Sequence, residues 1–176
     1  MKAIQIIWAR RFILWSALLG MLASAYLFYT YATSSDIKCG ILHGCELVRV
    51  SKWATFFGIP TPTFGFIFYF TVIAVLIFRV YAPEYRPKTL NYTQKILGVV
   101  GFTESLYLFG IQSFVIKSYC TWCLISALAA SLVFILVWFD KLLILDKKQT
   151  DKEVQLYFWS LLAGAIITGL TIFLLV

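Results

Sequence analysis

The residues of this chain best suited to chemistry are four cysteines, Cys39, Cys45, Cys120 and Cys123, the only ones in its 176 residues. They form two pairs. One is a C-x5-C pair in "CGILHGCEL"; the other is a C-x-x-C pair in "VIKSYCTWCLISAL", which opens onto the apolar run from Leu124 to Phe139. A C-x-x-C closes a very short loop, so it is a poor structural staple, because a disulfide stabilises more the longer the loop it closes. Its place at a helix start offers electrostatics instead. Unpaired N–H groups and the helix dipole favour a thiolate at Cys120, the species that attacks a disulfide, and Lys117 could add to that. Zinc is a rival use of four thiols, or of three with His43, the single histidine. The pair spacing is not that of a usual zinc finger, and no metal is expected. His43 reads as a solvated loop residue, with lowering of a nearby thiol pKa as its alternative role.

The elements that must hold these thiols are membrane helices. Hydrophobic residues make up 61% of the chain and charged residues 13%, against roughly a quarter charged in soluble proteins. Five apolar segments approach the ~20 residues needed to cross a bilayer: about Phe12–Tyr31, Thr63–Ala82, Ile96–Ile116, Cys120–Phe139 and Leu156–Val176. The fold expected is all-α, a single polytopic membrane domain over residues 1–176. The first segment carries an "ASA" stretch, Ala23–Ala25, that resembles a signal-peptide cleavage site. Its apolar run is long enough to span, and it reads as a retained helix.

The net charge of +7 is distributed as a topology signal. Lys2, Arg10, Arg11, Arg79, Arg86, Lys88, Lys95, Lys141, Lys147, Lys148 and Lys152 fall on one side of the spans. Only Lys38, Arg49, Lys52 and Lys117 fall on the other, a split of eleven to four. The positive-inside rule then puts the N-terminus in the cytoplasm and the C-terminus outside. All four cysteines face outside, where disulfides persist. Lipid is the expected environment, and nucleic acid is not an expected partner.

After Cys45, "CELVRVSKWATFFGIPTPTFGF" alternates apolar and polar residues as a short interfacial helix would, with Trp53 at headgroup level. Gly58, Pro60 and Pro62 end it and turn the chain into the second span. Such a helix would bring Cys45 over Cys120 as a lid that shields chemistry from water. Glu104 and Gln112 lie inside the third span, where ionisable residues usually face the bundle interior. Glu104 suits a proton route or, as the plainer expectation, one interhelical hydrogen bond by a neutral carboxyl. Gly98 and Gly101 read as close-packing positions.

The C-x5-C pair, Ser51 six residues on, "FGIPTPTFGFIFY" and the membrane-embedded C-x-x-C together resemble the vitamin K epoxide reductase family, most closely its prokaryotic homologues. The resemblance runs from about Phe12 to Phe139. It implies a four-helix catalytic bundle over about 12–139 around a quinone of the ubiquinone, menaquinone or vitamin K type, with an additional fifth helix at about 156–176. It implies Cys123 beside the quinone ring and Cys120 as its disulfide partner. Cys39 and Cys45 would relay electrons from a thioredoxin-fold (DsbA-like) protein outside, Cys39 meeting that partner and Cys45 attacking the Cys120–Cys123 disulfide. Ser51 carries over as a loop-positioning hydrogen bonder. Phe64, Phe68 and Leu124 are expected to pack against the ring.

Two departures shape the expectation. Many prokaryotic relatives continue into a fused thioredoxin-like domain, whereas this sequence stops at Val176, so the partner is expected to be a separate protein. Animal enzymes place an asparagine and a tyrosine near the vitamin K oxygens, and Thr61 and Ala127 align there. The function expected is therefore a quinone-linked thiol oxidoreductase of a prokaryotic cytoplasmic membrane. The alternatives are a vitamin K epoxide or quinone reductase proper, a DsbB-type oxidase (whose two pairs come in the reverse order), and a non-catalytic scaffold with two structural disulfides.

Overall fold

The computed structural model describes residues 3–40, 42–82, 87–140 and 147–175. Lys2, Arg86, Lys141 and Val176, used above in the charge split and the last span, lie outside the described residues, as do the side chains of Lys147 and Lys148. Among the described residues there are six α-helices: α1 (Ala3–Thr33), α2 (Cys45–Arg49), α3 (Thr61–Tyr81), α4 (Pro87–Gly110), α5 (Thr121–Phe139) and α6 (Lys147–Leu175). A two-stranded hairpin, β1 (Thr55–Phe56) and β2 (Ile59–Pro60), leads into α3, and a π-helical turn over Ile111–Ile116 extends α4. Five of these helices are long and apolar enough to cross a membrane.

Prolines mark the starts of α3 and α4, with Pro62 in the first turn of one and Pro87 opening the other. A first-turn proline costs nothing, since its missing N–H would have had no partner there. Helix α1 packs on α3 and α5, α4 packs on α3 and α5, and α6 lies outside against α1 and α3. The core between them is apolar, built from Ile13, Leu14, Ala17, Val72, Leu76, Val133 and Val137 among others. Gly101 lets α4 approach α3, because a Cβ there would overlap the ring of Phe68. At Gly98 a Cβ would come within 3.0 Å of Val137 on α5, so both glycines sit at close crossings of the kind small residues allow.

The structure changes the reading of the chain in two places. Arg10 and Arg11 do not precede the first span but lie within α1, whose 31 residues extend about 46 Å, beyond the ~30 Å hydrocarbon core. Arg10 is buried and donates to Asp140 at 2.9 Å, and Arg79 pairs with the other oxygen of Asp140 at 2.5 Å. Arg79 also donates to Gln94 and to Asn91, and Arg11 pairs with Glu153 at 2.6 Å. This polar knot joins α1, α3, α4 and α6 to the residue that ends α5. Removing one member of a buried charge pair typically costs about 3–5 kcal/mol, so Asp140, shared by two cations, pins that end of the bundle. The second change concerns the interfacial helix. It stops at Arg49, and Thr55 to Pro60 form the hairpin, with Phe57 and Gly58 both at positive φ (51° and 78°) as its two-residue loop. Positive φ at both loop residues is what a type I′ hairpin turn requires; the apolar–polar pattern of this stretch resembles a helix only while that turn is overlooked.

Candidate active site

The loop that carries Cys39 and Cys45 is tied down from both ends. Tyr26, fully buried on α1, accepts the N–H of Lys38 at 3.1 Å. From α5, Trp122 donates to the Lys38 carbonyl at 3.0 Å and Thr121 donates to the Cys39 carbonyl at 2.5 Å. Glu46 accepts the N–H of Ile37 at 2.9 Å and pairs with Arg49 at 2.8 Å, while Arg49 donates to the Ser35 carbonyl at 2.8 Å. Gly44 lies flat on the chain before α5, where a Cβ would overlap Ser118 and the backbone of Tyr119. The result is one buried cluster holding Cys39, Cys45 and Cys120 with Tyr26, Leu27 and Ile37, and Cys123 packs against it. Cys39 and Cys45 are joined as a disulfide, so they are not available as metal ligands, and Cys120 and Cys123 are free thiols.

Cys120 is the N-cap of α5, one residue outside the apolar span Thr121–Phe139. Its sulfur accepts the N–H of Cys123 at 3.2 Å and the thiol of Cys123 at 2.6 Å. The hydrogen bond from the Cys123 thiol, helped by the backbone N–H groups of Cys123 and Trp122 and opposed by burial, lowers the Cys120 pKa below its ordinary value of 9.0. Lys117 is exposed and turns the chain with φ 54°; the acidity comes from the first turn of α5. A thiolate is therefore formed at lower pH than usual, and alkylation of Cys120 by iodoacetamide should level off with a midpoint below 9.0. In a Cys39→Ala/Cys45→Ala background, adding Cys123→Ala should move that midpoint upward, since it removes the donor. An unchanged or lower midpoint would show that the C-x-x-C contact does not set the acidity.

Cys123 faces the other way, onto an apolar cavity between α1, α3, α4 and α5. The cavity holds about 890 Å³ of space free of protein atoms, open space at its mouth included. Small-molecule sites are mostly apolar with a few placed polar groups, and a lining of that kind suits the ring of a quinone. Phe68, Leu124, Thr61 and Ala127 line it, as do Val48, Trp53 and Ala54 of the lid. Phe64 is not among its walls; its ring meets Phe56 of the hairpin at 6.1 Å instead. Thr61 lines the cavity, but its hydroxyl is hydrogen-bonded to the carbonyls of Ala54 (2.9 Å) and Trp53 (3.2 Å). Ser51 donates to the Val48 carbonyl at 2.7 Å and accepts the N–H of Ala54 on its own carbonyl, which closes α2 onto the lid.

Sequence reasoning did not single out Tyr69, on the cavity wall with its hydroxyl 2.5 Å from the Ser126 carbonyl. "FGFIFY" contained it, but a tyrosine in an aromatic run carries no sign of which way it faces. Glu104 lines the cavity and makes no hydrogen bond among the described residues, so the interhelical bond expected of it is not formed. Gln112 lines it too and accepts the N–H of Cys120 on its side-chain oxygen at 2.8 Å. His43 is an exposed loop residue at φ 50°.

Comparison with known proteins finds the thiol-disulfide oxidoreductase LTO1 of Arabidopsis thaliana, 32% identical over 125 residues, which are 66% of this chain and 33% of that protein. The matched stretch thus spans about a third of that relative's length. The model of the vitamin K epoxide reductase family matches residues 11–138, which take in both cysteine pairs, the lid and the cavity, and the chain belongs to that family.

Proposed function

We propose that this chain is a quinone-linked thiol oxidoreductase that reoxidises a separate thioredoxin-fold protein on the outer side of the cytoplasmic membrane. The observation that supports it most is the placement of the cysteines. Three share one buried cluster, and the fourth turns from that cluster onto the wall of an apolar cavity. Membership of the family and the name of the LTO1 relative favour thiol–disulfide exchange as the reaction class.

In this scheme the partner's two thiols reduce the Cys39–Cys45 disulfide and leave as the partner's own disulfide. Cys39 is the more open of the two, 8% exposed against 1% for Cys45, which suits it to meet the partner. The Cys45 thiolate then attacks the Cys120 sulfur of a Cys120–Cys123 disulfide and Cys123 leaves as the thiol. Cys39 resolves the Cys45–Cys120 bond, restoring the loop disulfide and releasing Cys120. An acidic thiol leaves faster, so the lowered pKa of Cys120 favours that last step. A loop disulfide beside a reduced C-x-x-C, the state of the present structure, corresponds to the moment before electrons leave Cys120 and Cys123. A quinone in the cavity supplies the oxidant, taking up two electrons and two protons. Thr61 spends its hydroxyl on the lid and Ala127 offers only a methyl group, which favours plain quinone reduction over epoxide chemistry.

The scheme needs the cysteines outside. In intact cells treated with a reductant, membrane-impermeant maleimide should label Cys39 or Cys45 without permeabilisation. Labelling that appears only after the membrane is opened would reverse the orientation and exclude a secreted partner.

A further inference from the structure

Gln112 is a polar side chain, 4% exposed, in the π-helical turn that ends α4. Its backbone carbonyl accepts the N–H groups of Lys117 and Ser118, and its side-chain oxygen accepts the N–H of Cys120 at 2.8 Å. That last bond settles which way round the carboxamide lies, since an N–H must face the oxygen and not the amine. The NH2 group is thereby turned away from Cys120. It makes no hydrogen bond among the described residues, and the side chain borders the same cavity as Cys123. The residue is largely buried, but this NH2 group is still open to contact, so a ligand in the cavity can reach it, and the walls around it are mostly apolar.

We propose that Gln112 is a binding residue for the oxidant, its Nε2–H donating to a carbonyl oxygen of the quinone in the cavity. The inference rests on the quinone reading above and deepens it. One carboxamide then fixes two things at once, the backbone of Cys120 through its oxygen and the carbonyl of the quinone through its nitrogen. Closing the Cys120–Cys123 disulfide releases two electrons and the two thiol protons, and reducing a quinone to the hydroquinone takes up the same number. Negative charge develops on the quinone oxygen as this happens, and a donor already aimed at that oxygen stabilises it.

Two variants separate the roles. Gln112→Glu, studied at a pH high enough to ionise the new carboxyl, keeps an acceptor for the Cys120 N–H and loses the donor; Gln112→Met loses both at similar volume. The full-length chain, with Cys120 and Cys123 oxidised so that no turnover occurs, is titrated with ubiquinone-2 and with menaquinone-2, and the bound quinone's carbonyl stretch is read by infrared spectroscopy. The wild type should bind one of them with one carbonyl band shifted to lower frequency. Both variants should bind about tenfold more weakly, as loss of one hydrogen bond implies, and should return that band to the position of the free quinone. The alkylation midpoint of reduced Cys120 should rise in ionised Gln112→Glu, whose carboxylate lies beside the thiolate, so quinone binding is compared with Gln112→Met, which adds no charge. Equal affinities and equal band positions in wild type and variants would overturn the assignment of Gln112 while leaving the quinone site standing. Failure of the wild type to bind either quinone would overturn both.

Discussion

Cys123→Ser should abolish quinone reduction, with a loss of roughly a thousandfold or more, since removing the reacting nucleophile of an enzyme costs at least that much. The same variant should still exchange its Cys39–Cys45 disulfide once with a reduced thioredoxin-fold partner. The reason is positional. Cys123 is the one cysteine that lines the cavity, whereas Cys39 and Cys45 lie in the loop above it, held by Tyr26, Thr121 and Trp122. A serine keeps the helix and its first turn, so the loop pair should retain its place and its chemistry. Stopped-flow absorbance of the quinone measures the first effect, and thiol counting on the partner after a single mixing measures the second. An unimpaired Cys123→Ser would remove the C-x-x-C from the electron path.

The second large effect is a trapped intermediate. With Cys123→Ala, Cys120 loses its competing partner, and with Cys39→Ala the loop loses the thiol that would resolve a mixed disulfide. The double variant should therefore accumulate Cys45 bonded to Cys120 as its main oxidised form. Cys45 and Cys120 are each 1% exposed and belong to one cluster, so outside thiols compete poorly for that bond. Digestion without reductant followed by mass spectrometry identifies the linked peptides. Replacing Cys45 instead of Cys39, and finding Cys39 joined to Cys120 in greater yield, would exchange the roles given to the two loop cysteines.

The features legible in the sequence are those that composition and spacing encode directly. Five helices follow from apolar length, and the two cysteine pairs follow from C-x5-C and C-x-x-C. A helix start at Cys120 follows from the polar residues of "IKSYC" giving way to an apolar run. Facing was not legible, because in a chain that is 61% hydrophobic the apolar pattern does not separate the lipid side of a helix from the bundle side. Phe64 and Phe68 lie four residues apart on α3, yet Phe68 lines the cavity and Phe64 packs on the hairpin. Glu104 and Gln112 stood out as polar residues in a span, but nothing in the sequence shows that Glu104 makes no hydrogen bond among the described residues or that Gln112 accepts the N–H of Cys120. The hydrogen bond from Cys120 to Gln112 also depends on the π-helical turn and on Lys117 at φ 54°, which no apolar period announces. Arg10 and Arg79 look like topology signals in the sequence; folded, they share the carboxylate of Asp140.

The chain is an integral membrane protein of the vitamin K epoxide reductase family, and what remains to be measured is where its electrons go. Purified protein, freed of bound quinone, is mixed without oxygen with an excess of a reduced thioredoxin-fold partner, and partner thiols are counted over time with and without added ubiquinone-2 or menaquinone-2. Continuous oxidation of the partner, matched one for one by hydroquinone formed, should occur only when quinone is supplied; without it, oxidation should stop after the protein's own disulfides are spent. Steady oxidation of the partner in the absence of both quinone and oxygen would contradict the quinone as terminal acceptor.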